Sequence, residues 1–509
     1  MEPKIVYGSH VILSADEVIE RGAVYIKDGR VADTGVYADL KDKYGPVQEL
    51  GSDQHIVLPG FVNSHNHGKG VTDFQRGQID NTLETWKFRS YPPIETRLDT
   101  TWAAIKQLEA GVTTTMHNHD VAAPERYQSE FEAVIEAYRS AKLKVAFAPS
   151  VANQNHFVYG DNESFIASLP DELQSTCRDR ISRSRAFGPV EYMDAVARLC
   201  SKYQHDSNVR IMHGPIAPQW VAEDTLRAIR KDADERKLPI HIHVQQTKLQ
   251  NLYGYKQYGK SLIAYLDSIG FLRGSVTIGH AVWISQQDIE ILAATGANTT
   301  HHPACNLRVR NGISPVYALL QAGVRVGLGL DDKEFGDDKD FLEEMRLASK
   351  LHRVTDHRLD SPHLSPREVF RMATEYGAET LDWSAEIGTL KEGGRADMVL
   401  LNTARLSEPF VSPTQSPIDL VLYRGGTRDL DMVIVDGEVV VEQGKVVHID
   451  RQEVIRQIRE QMPDDYVGEF EARNSDLQAL RPYIAAWFSD WYDEMGDFEG
   501  RPFYHMNNR

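Results

Sequence analysis

The first sixty residues alternate apolar and polar positions with a period of two, the spacing that turns one face of a strand into a core. "KIVYGSHVIL" (4–13), "GAVYIKDGRVADTG" (22–35) and "HIVLPG" (55–60) carry β-branched residues interrupted by turn dipeptides. The same texture returns in "ADMVLLN" (396–402) and "DLDMVIVDGEVVVEQGKVVHID" (429–450). There Asp436-Gly437 and Gln443-Gly444 mark hairpin turns. The economical reading is that the two ends, residues 1–58 and 388–450, pair into one small β-sandwich. Between them short apolar runs alternate with helical spacing. "KVAFAPSV", "VRIMHGPIA", "LPIHIHV", "SVTIGHAVW", "ANTTHHP" and "VRVGLGLD" read as strands, and "SQQDIEILAATG" and "SPVYALLQAG" as helices ending in Gly. Repeated strand–helix units predict an α/β architecture, a (β/α)8 TIM-like barrel over residues 59–387. Residues 451–509 form a helical, aromatic-rich extension. It packs on the barrel through Tyr483, Trp487, Phe488 and Trp491, or reaches as an arm to a neighbouring subunit.

Composition narrows the class of function. A chain of 509 residues, 41% hydrophobic, is large enough for a catalytic domain and a smaller companion. The net charge of −18 argues against a nucleic-acid surface. Cys177, Cys200 and Cys305 are odd in number and far apart, so a reducing, cytoplasmic compartment is expected. The N-terminus lacks the pattern of a signal peptide, and no apolar run is long enough to span a membrane. No dinucleotide fingerprint, phosphate-binding loop or serine nucleophile elbow is found.

The chemistry lies in the histidines. "LPGFVNSHNHGKG" (58–70) holds His65 and His67, and "LPIHIHVQQT" (238–247) holds His241 and His243. Two histidines at i and i+2 on one strand point to one side and can reach one ion. His65, His67, His243, His280 and Asp331 each follow an apolar strand-like run, and carboxyl ends of barrel strands are where catalytic groups gather. His117 and His119 in "GVTTTMHNHD" end a second strand and are candidates for substrate contact.

The series "GFVNSHNH", "HIHVQQT", "TIGHAVW", "HHPACNLRVRNGISPV" and "GLGLDD" resembles the amidohydrolase superfamily, in its cytosine-deaminase-like and triazine-hydrolase-like branch. The resemblance runs from the first strands through "GTLKEGGRADMVLLN" to "VIVDGEVV". It implies one divalent metal ion per chain, zinc first, with iron, cobalt or manganese as alternatives. His65, His67, His243 and Asp331 would hold it. Asp331 would also move the proton, and His280 would stabilise charge on the substrate. His241 would point the same way but deeper. Asn306 would line the pocket, with His301 and His302 at most a supporting wall. A small-molecule substrate and a homo-oligomer are the implied partners.

Two departures bear on the reaction. Deaminases of this branch carry a glutamate three residues after the strand-five ligand, where this chain has Gln246. An amide cannot donate a proton as a carboxyl group does. A histidine that touches substrate in those deaminases is replaced by Ile216 in "MHGPIAPQW". The expectation is therefore hydrolysis of an amide-, urea- or carbamate-type bond in a partly apolar molecule. Deamination or dechlorination of a nitrogen heterocycle is the alternative, and a non-catalytic scaffold the remote one. Trp86, Trp220, Gln246, Ile216 and Lys333 are candidate substrate contacts. His156 is a further candidate for the pocket wall. "DDKEFGDDKD" (331–340) is either the pocket mouth or a solvated loop capping the next helix.

Overall fold

In the computed structural model, residues 2–78, 81–86, 90–273, 275–334, 336–353 and 363–491 are described. The alternating N-terminal segments become β1 (Lys4–Ser14), β2 (Glu17–Glu20), β3 (Gly22–Lys27), β4 (Arg30–Val36) and β5 (Gln48–Pro59). After Gly60 the chain passes at once into β6 (Phe61–Asn63). There follow β7 (Val112–His119), β8 (Lys144–Val151), β9 (Val209–Ile211), β10 (Gly214–Pro215), β11 (Ile240–Val244), β12 (Val276–His280), β13 (Asn298–His301) and β14 (Val326–Leu328). The chain ends its strands with β15 (Met398–Asn402), β16 (Leu430–Val435), β17 (Glu438–Glu442) and β18 (Lys445–Val446).

The two ends do pair. β15 runs antiparallel to β5, setting Met398 opposite Pro59 and Leu400 opposite Val57. On its other edge β5 runs parallel to β1. The result is one nine-stranded sheet, where the sequence pattern suggested a sandwich of two. The physical reason is β5: its twelve residues fill hydrogen bonds on both edges and so weld the two ends together. Val6, Val24, Val57, Leu400 and Ile434 form the apolar layer on it.

The middle of the chain builds two parallel sheets, β6-β7-β8 with β9 and β10 on β8, and β11-β12-β13-β14. β7 and β8 are buried at every position, as expected for parallel strands covered on both faces. Backbone hydrogen bonds bridge both seams. Ser64 N donates to Leu328 O at 2.9 Å, and His241 N donates to His213 O at 2.9 Å. The parallel strands therefore follow one another around a ring. "VRIMHGPIA", expected as one strand, breaks into β9 and β10 at that second seam. Val62, Met116, Ala146, Ala148, Met212, Leu381 and Trp383 fill one apolar cluster within it. Polar groups gather instead where the strands end.

The extension begins with helices Arg451–Gln461 and Tyr466–Trp487. Phe488 is buried against Tyr159 (ring centroids 5.4 Å), and Trp487 meets Phe165 (5.8 Å). The tail thus packs on the segment after β8. Tyr492, Phe498, Phe503 and Tyr504 lie outside the described residues. Among the described residues no helix is long and apolar enough to cross a membrane.

Candidate metal centre

Five side chains from four strand ends converge. β6 stops at Asn63, so His65 and His67 lie just past the strand rather than on it. They are held there from the far end of the chain. Asp331 N donates to His65 O (3.1 Å), and Asp332 Oδ2 accepts from His67 N (3.0 Å) and Lys69 N (2.9 Å). Asp331 Oδ1 is 3.3 Å from both His65 Nε2 and His67 Nε2, and Asp331 Oδ2 is 3.7 Å from His280 Nε2. Nitrogens of His65, His67 and His243 lie within 4.8 Å of one another. The backbone is strained at this point: His280 (φ 73°), Asp331 (φ 55°) and Asp332 (φ 52°) occupy the left-handed region that side chains disfavour.

The outer nitrogen of each imidazole is engaged. His67 Nδ1 bonds Asn118 O (2.9 Å), and His243 Nδ1 bonds Ile216 O (2.7 Å). His280 Nδ1 bonds Asn306 Oδ1 (3.0 Å), and His65 Nδ1 bonds His241 Nε2 (2.8 Å). A carbonyl oxygen accepts only from N–H, so His67, His243 and His280 each carry the proton on Nδ1. Their Nε2 lone pairs face inward. Nε2 of His65 and of His280 are buried without a hydrogen-bond partner. Inward lone pairs around a buried carboxylate are the donor set of a divalent cation, and the residues fit one.

Electrostatics agree. Burial takes His243, His241 and His302 well below the ordinary imidazole value and His280 down to about 3, so these rings are neutral. Burial lowers His65 as well, whereas at His67 the effect of burial is outweighed by Asp331 and Asp120, which raise it. Burial would raise Asp331, but the charge of Lys333 and the adjacent imidazoles of His65 and His67 outweigh it and hold the carboxylate ionised.

The other candidates sort by contact. Asn306 is less a pocket wall than the anchor of His280, itself fixed by Asn311 Nδ2 (3.1 Å). Ile216 acts through its backbone carbonyl on His243. Gln246 is buried one residue before Thr247, whose hydroxyl donates to Glu84 (2.6 Å). Glu84 and Trp86 share the one-turn helix Leu83–Trp86, and Trp86 packs with Cys305 and Val309. Lys333 Nζ stands 4.9 Å over the Trp86 ring and 3.8 Å from Asp331 Oδ1. Trp220 packs beside Tyr159 (5.9 Å), and His156 bonds Asn162.

His117 and His119 are corrected. His117 bonds Tyr138 OH (3.1 Å) and His119 bonds Glu130 Oε1 (2.8 Å), both on the helix Tyr127–Ser140. They tie β7 to its helix. The residue between them, Asn118, meets the site through its backbone carbonyl, which accepts from His67 Nδ1, while its side chain bonds Ala148 O and Ser150 Oγ. Sequence reading also undervalued His302, whose Nδ1 lies 3.8 Å from Asp331 Oδ2 and 3.2 Å from His280 Nδ1. The adjacent His301-His302 pair was the available signal. The charged run after Asp331 is buried at Asp332, Lys333, Glu334 and Lys339 and reaches solvent at Gly336 and Asp338. Lys339 is fully buried and bridges Asp332 (2.6 Å) and Glu334 (3.0 Å), while Asp340 caps the helix Phe341–Leu351 as expected.

A ring of parallel strands carrying histidines and an aspartate at its strand ends is the architecture of metal-assisted hydrolases. The model of the amidohydrolase family matches residues 56–440, and the chain belongs to that family. It is a hydrolase of carbon–nitrogen bonds other than peptide bonds. It is similar to the 5'-deoxyadenosine deaminase of Methanopyrus kandleri, 30% identical over 455 residues, covering 87% of this chain and 95% of that protein. The 5-methylthioadenosine/S-adenosylhomocysteine deaminase of Thermococcus kodakarensis is 30% identical over 445 residues, covering 86% and 93%. Among solved structures, a zinc-bound adenosine deaminase from Xanthomonas campestris superposes with a TM-score of 0.76 at 21% identity, covering 90% of this chain and 97% of that one. The zinc-bound atrazine chlorohydrolase of Arthrobacter aurescens gives 0.74 at 21% identity, covering 90% and 100%. These likenesses imply the TIM-like barrel.

Proposed function

We propose that the chain is a metal-dependent hydrolase that removes an amino group from an unsaturated carbon of a small nitrogen heterocycle. The supporting observation is the inward-facing donor set of His65, His67, His243 and Asp331, with the outer nitrogens of the three imidazoles pinned. The (β/α)8 barrel is part of this reading, and zinc is the metal it names first. A divalent ion held by His65, His67, His243 and Asp331 would supply Lewis-acid activation of water, lowering its pKa toward about 7. Asp331, held ionised, accepts a proton and returns it to the departing nitrogen. Neutral His280, protonated on Nδ1, presents a lone pair at Nε2. It orients water by accepting its hydrogen bond, rather than stabilising charge on the substrate as the resemblance implied. Heterocycle deamination now stands ahead of amide hydrolysis because curated relatives at 30% identity are deaminases.

Gln246 favours a second reading. An amide cannot protonate a ring nitrogen ahead of attack, so amide-, urea- or carbamate-type hydrolysis needs less from this position. Two measurements test the proposal. Metal analysis of purified protein gives about one equivalent per chain, lost in His243→Ala. Ammonia is released from aminopyrimidines or aminotriazines in a panel that also holds ureas and anilides. Metal-free wild-type protein sinks the proposal, and turnover confined to ureas and anilides moves it to the second reading.

A further inference from the structure

We infer that the site selects substrates carrying a negative charge, a carboxylate or equivalent oxyanion, close to the scissile carbon, and that Lys333 is the group that reads it. The inference rests on the proposed function in one respect, that a divalent ion occupies the donor set.

Lys333 is only 8% exposed, yet it is poorly satisfied. An ammonium has three N–H donors. The one hydrogen-bond acceptor Lys333 reaches among the described residues is Asp331 O, at 3.1 Å. The Asp331 carboxylate, at 3.8 Å, is beyond hydrogen-bond range. The face of Trp86 takes one side of the ammonium. Two donors are left over, next to the residue that anchors the reaction.

The local charges do not close either. Lys339 serves Asp332 and Glu334 and is committed to them. Asp73, 2% exposed, has both oxygens without a hydrogen-bond partner, and its charge acts on Lys333. Asp73 is already shared with Lys69, whose Nζ is 3.6 Å away. A divalent ion brings two positive charges to a place where Asp331 supplies one negative charge. With the Lys339 cluster included, three lysines and a dication, five positive charges, then face the four carboxylates of Asp73, Asp331, Asp332 and Glu334. The surplus is positive, in a protein whose overall charge is −18. A buried ammonium with unused donors is costly, and an uncharged substrate without acceptors would leave them unused. An anionic group on the substrate supplies the acceptors for the free donors and removes the surplus.

The test uses the metal-loaded full chain and a matched pair of probes, 2-aminopyrimidine-4-carboxylate and 2-aminopyrimidine-4-carboxamide, titrated by calorimetry. The carboxylate is expected to bind at least about tenfold more tightly. In Lys333→Met the ratio falls to near one with metal content unchanged, and in Lys333→Arg the preference persists. Equal binding by wild type, binding of neither probe, or an undiminished ratio in Lys333→Met overturns the inference. Should Lys333→Met fail to fold, the wild-type ratio still decides. The two readings fail separately. Ammonia release from neutral aminoheterocycles, without carboxylate preference, sinks only the charge selection. Carboxylate preference that depends on Lys333, with no ammonia from any panel member, sinks only the proposed reaction.

Discussion

At the scale of single residues, the site is a set of imidazoles whose outer nitrogens decide what the inner ones can do. Asn306 shows this most plainly. Its Oδ1 accepts from His280 Nδ1 and from Asn311, which leaves His280 Nε2 as a lone pair. Asn306→Ala frees the ring to rotate and to change tautomer. Loss of such an outer partner costs about 10–100-fold in activity. We expect that loss in kcat, with metal content near one equivalent, because His280 is not among the four proposed ligands. Metal lost in parallel with activity would instead make His280 a ligand. Much of this arrangement was legible in the chain, because "HNH" and "HIH" state the ligand spacing directly. His302 was not. It sits between β13 and the helix Pro303–Arg308, and only the turn there brings its ring to Asp331. His117 and His119 misled for the opposite reason. They have the spacing of a ligand pair, but strand alternation gives them the face that packs on a helix.

At the scale of elements, the segment after β14 and the loop after β6 are locked together by buried charge. Asp332 uses one oxygen for Lys339 and the other for the backbone of His67 and Lys69. Lys339 draws the Asp332 carboxyl down to about 2 against the opposing effect of burial. Removing one partner of such a cluster strands the others, typically at about 3–5 kcal/mol. Lys339→Met should therefore lower stability by roughly that amount in a denaturant titration. Adding Asp332→Asn and Glu334→Gln should restore part of the loss. A single substitution with no effect on the midpoint would show that water, not Lys339, satisfies the carboxylates. Alternating signs in a ten-residue run read as solvated surface in a sequence, because burial of charge depends on partners that only the fold brings together. The strand–helix alternation was legible for the same reason in reverse: apolar periodicity is a local signal. The joining of both ends through β5 into one sheet is a long-range pairing that periodicity does not carry.

At the scale of the whole molecule, the interior stores many neutral histidines, and that sets how the protein meets acid. His301 and His352 form a pair away from the proposed ligands, with Nε2 atoms 3.1 Å apart. Burial lowers His352 to about 4 and His301 well below the ordinary value. An unfolded histidine titrates near 6.5. Below that pH the unfolded chain takes up protons that the folded chain refuses, so acid favours unfolding. The stabilising contribution of His352 is whole above about 6.5 and declines as pH falls toward about 4, by about 3 kcal/mol over the interval. The buried neutral histidines of the site, His241, His243, His280 and His302, add to the same trend. We expect the urea midpoint of the metal-free protein to fall steadily from pH 6.5 to 4. In His352→Gln, which cannot titrate, the fall should be measurably shallower. Parallel curves for wild type and His352→Gln would mean that the His301–His352 pair opens to solvent before the molecule unfolds. The acid response would then belong to the metal site alone.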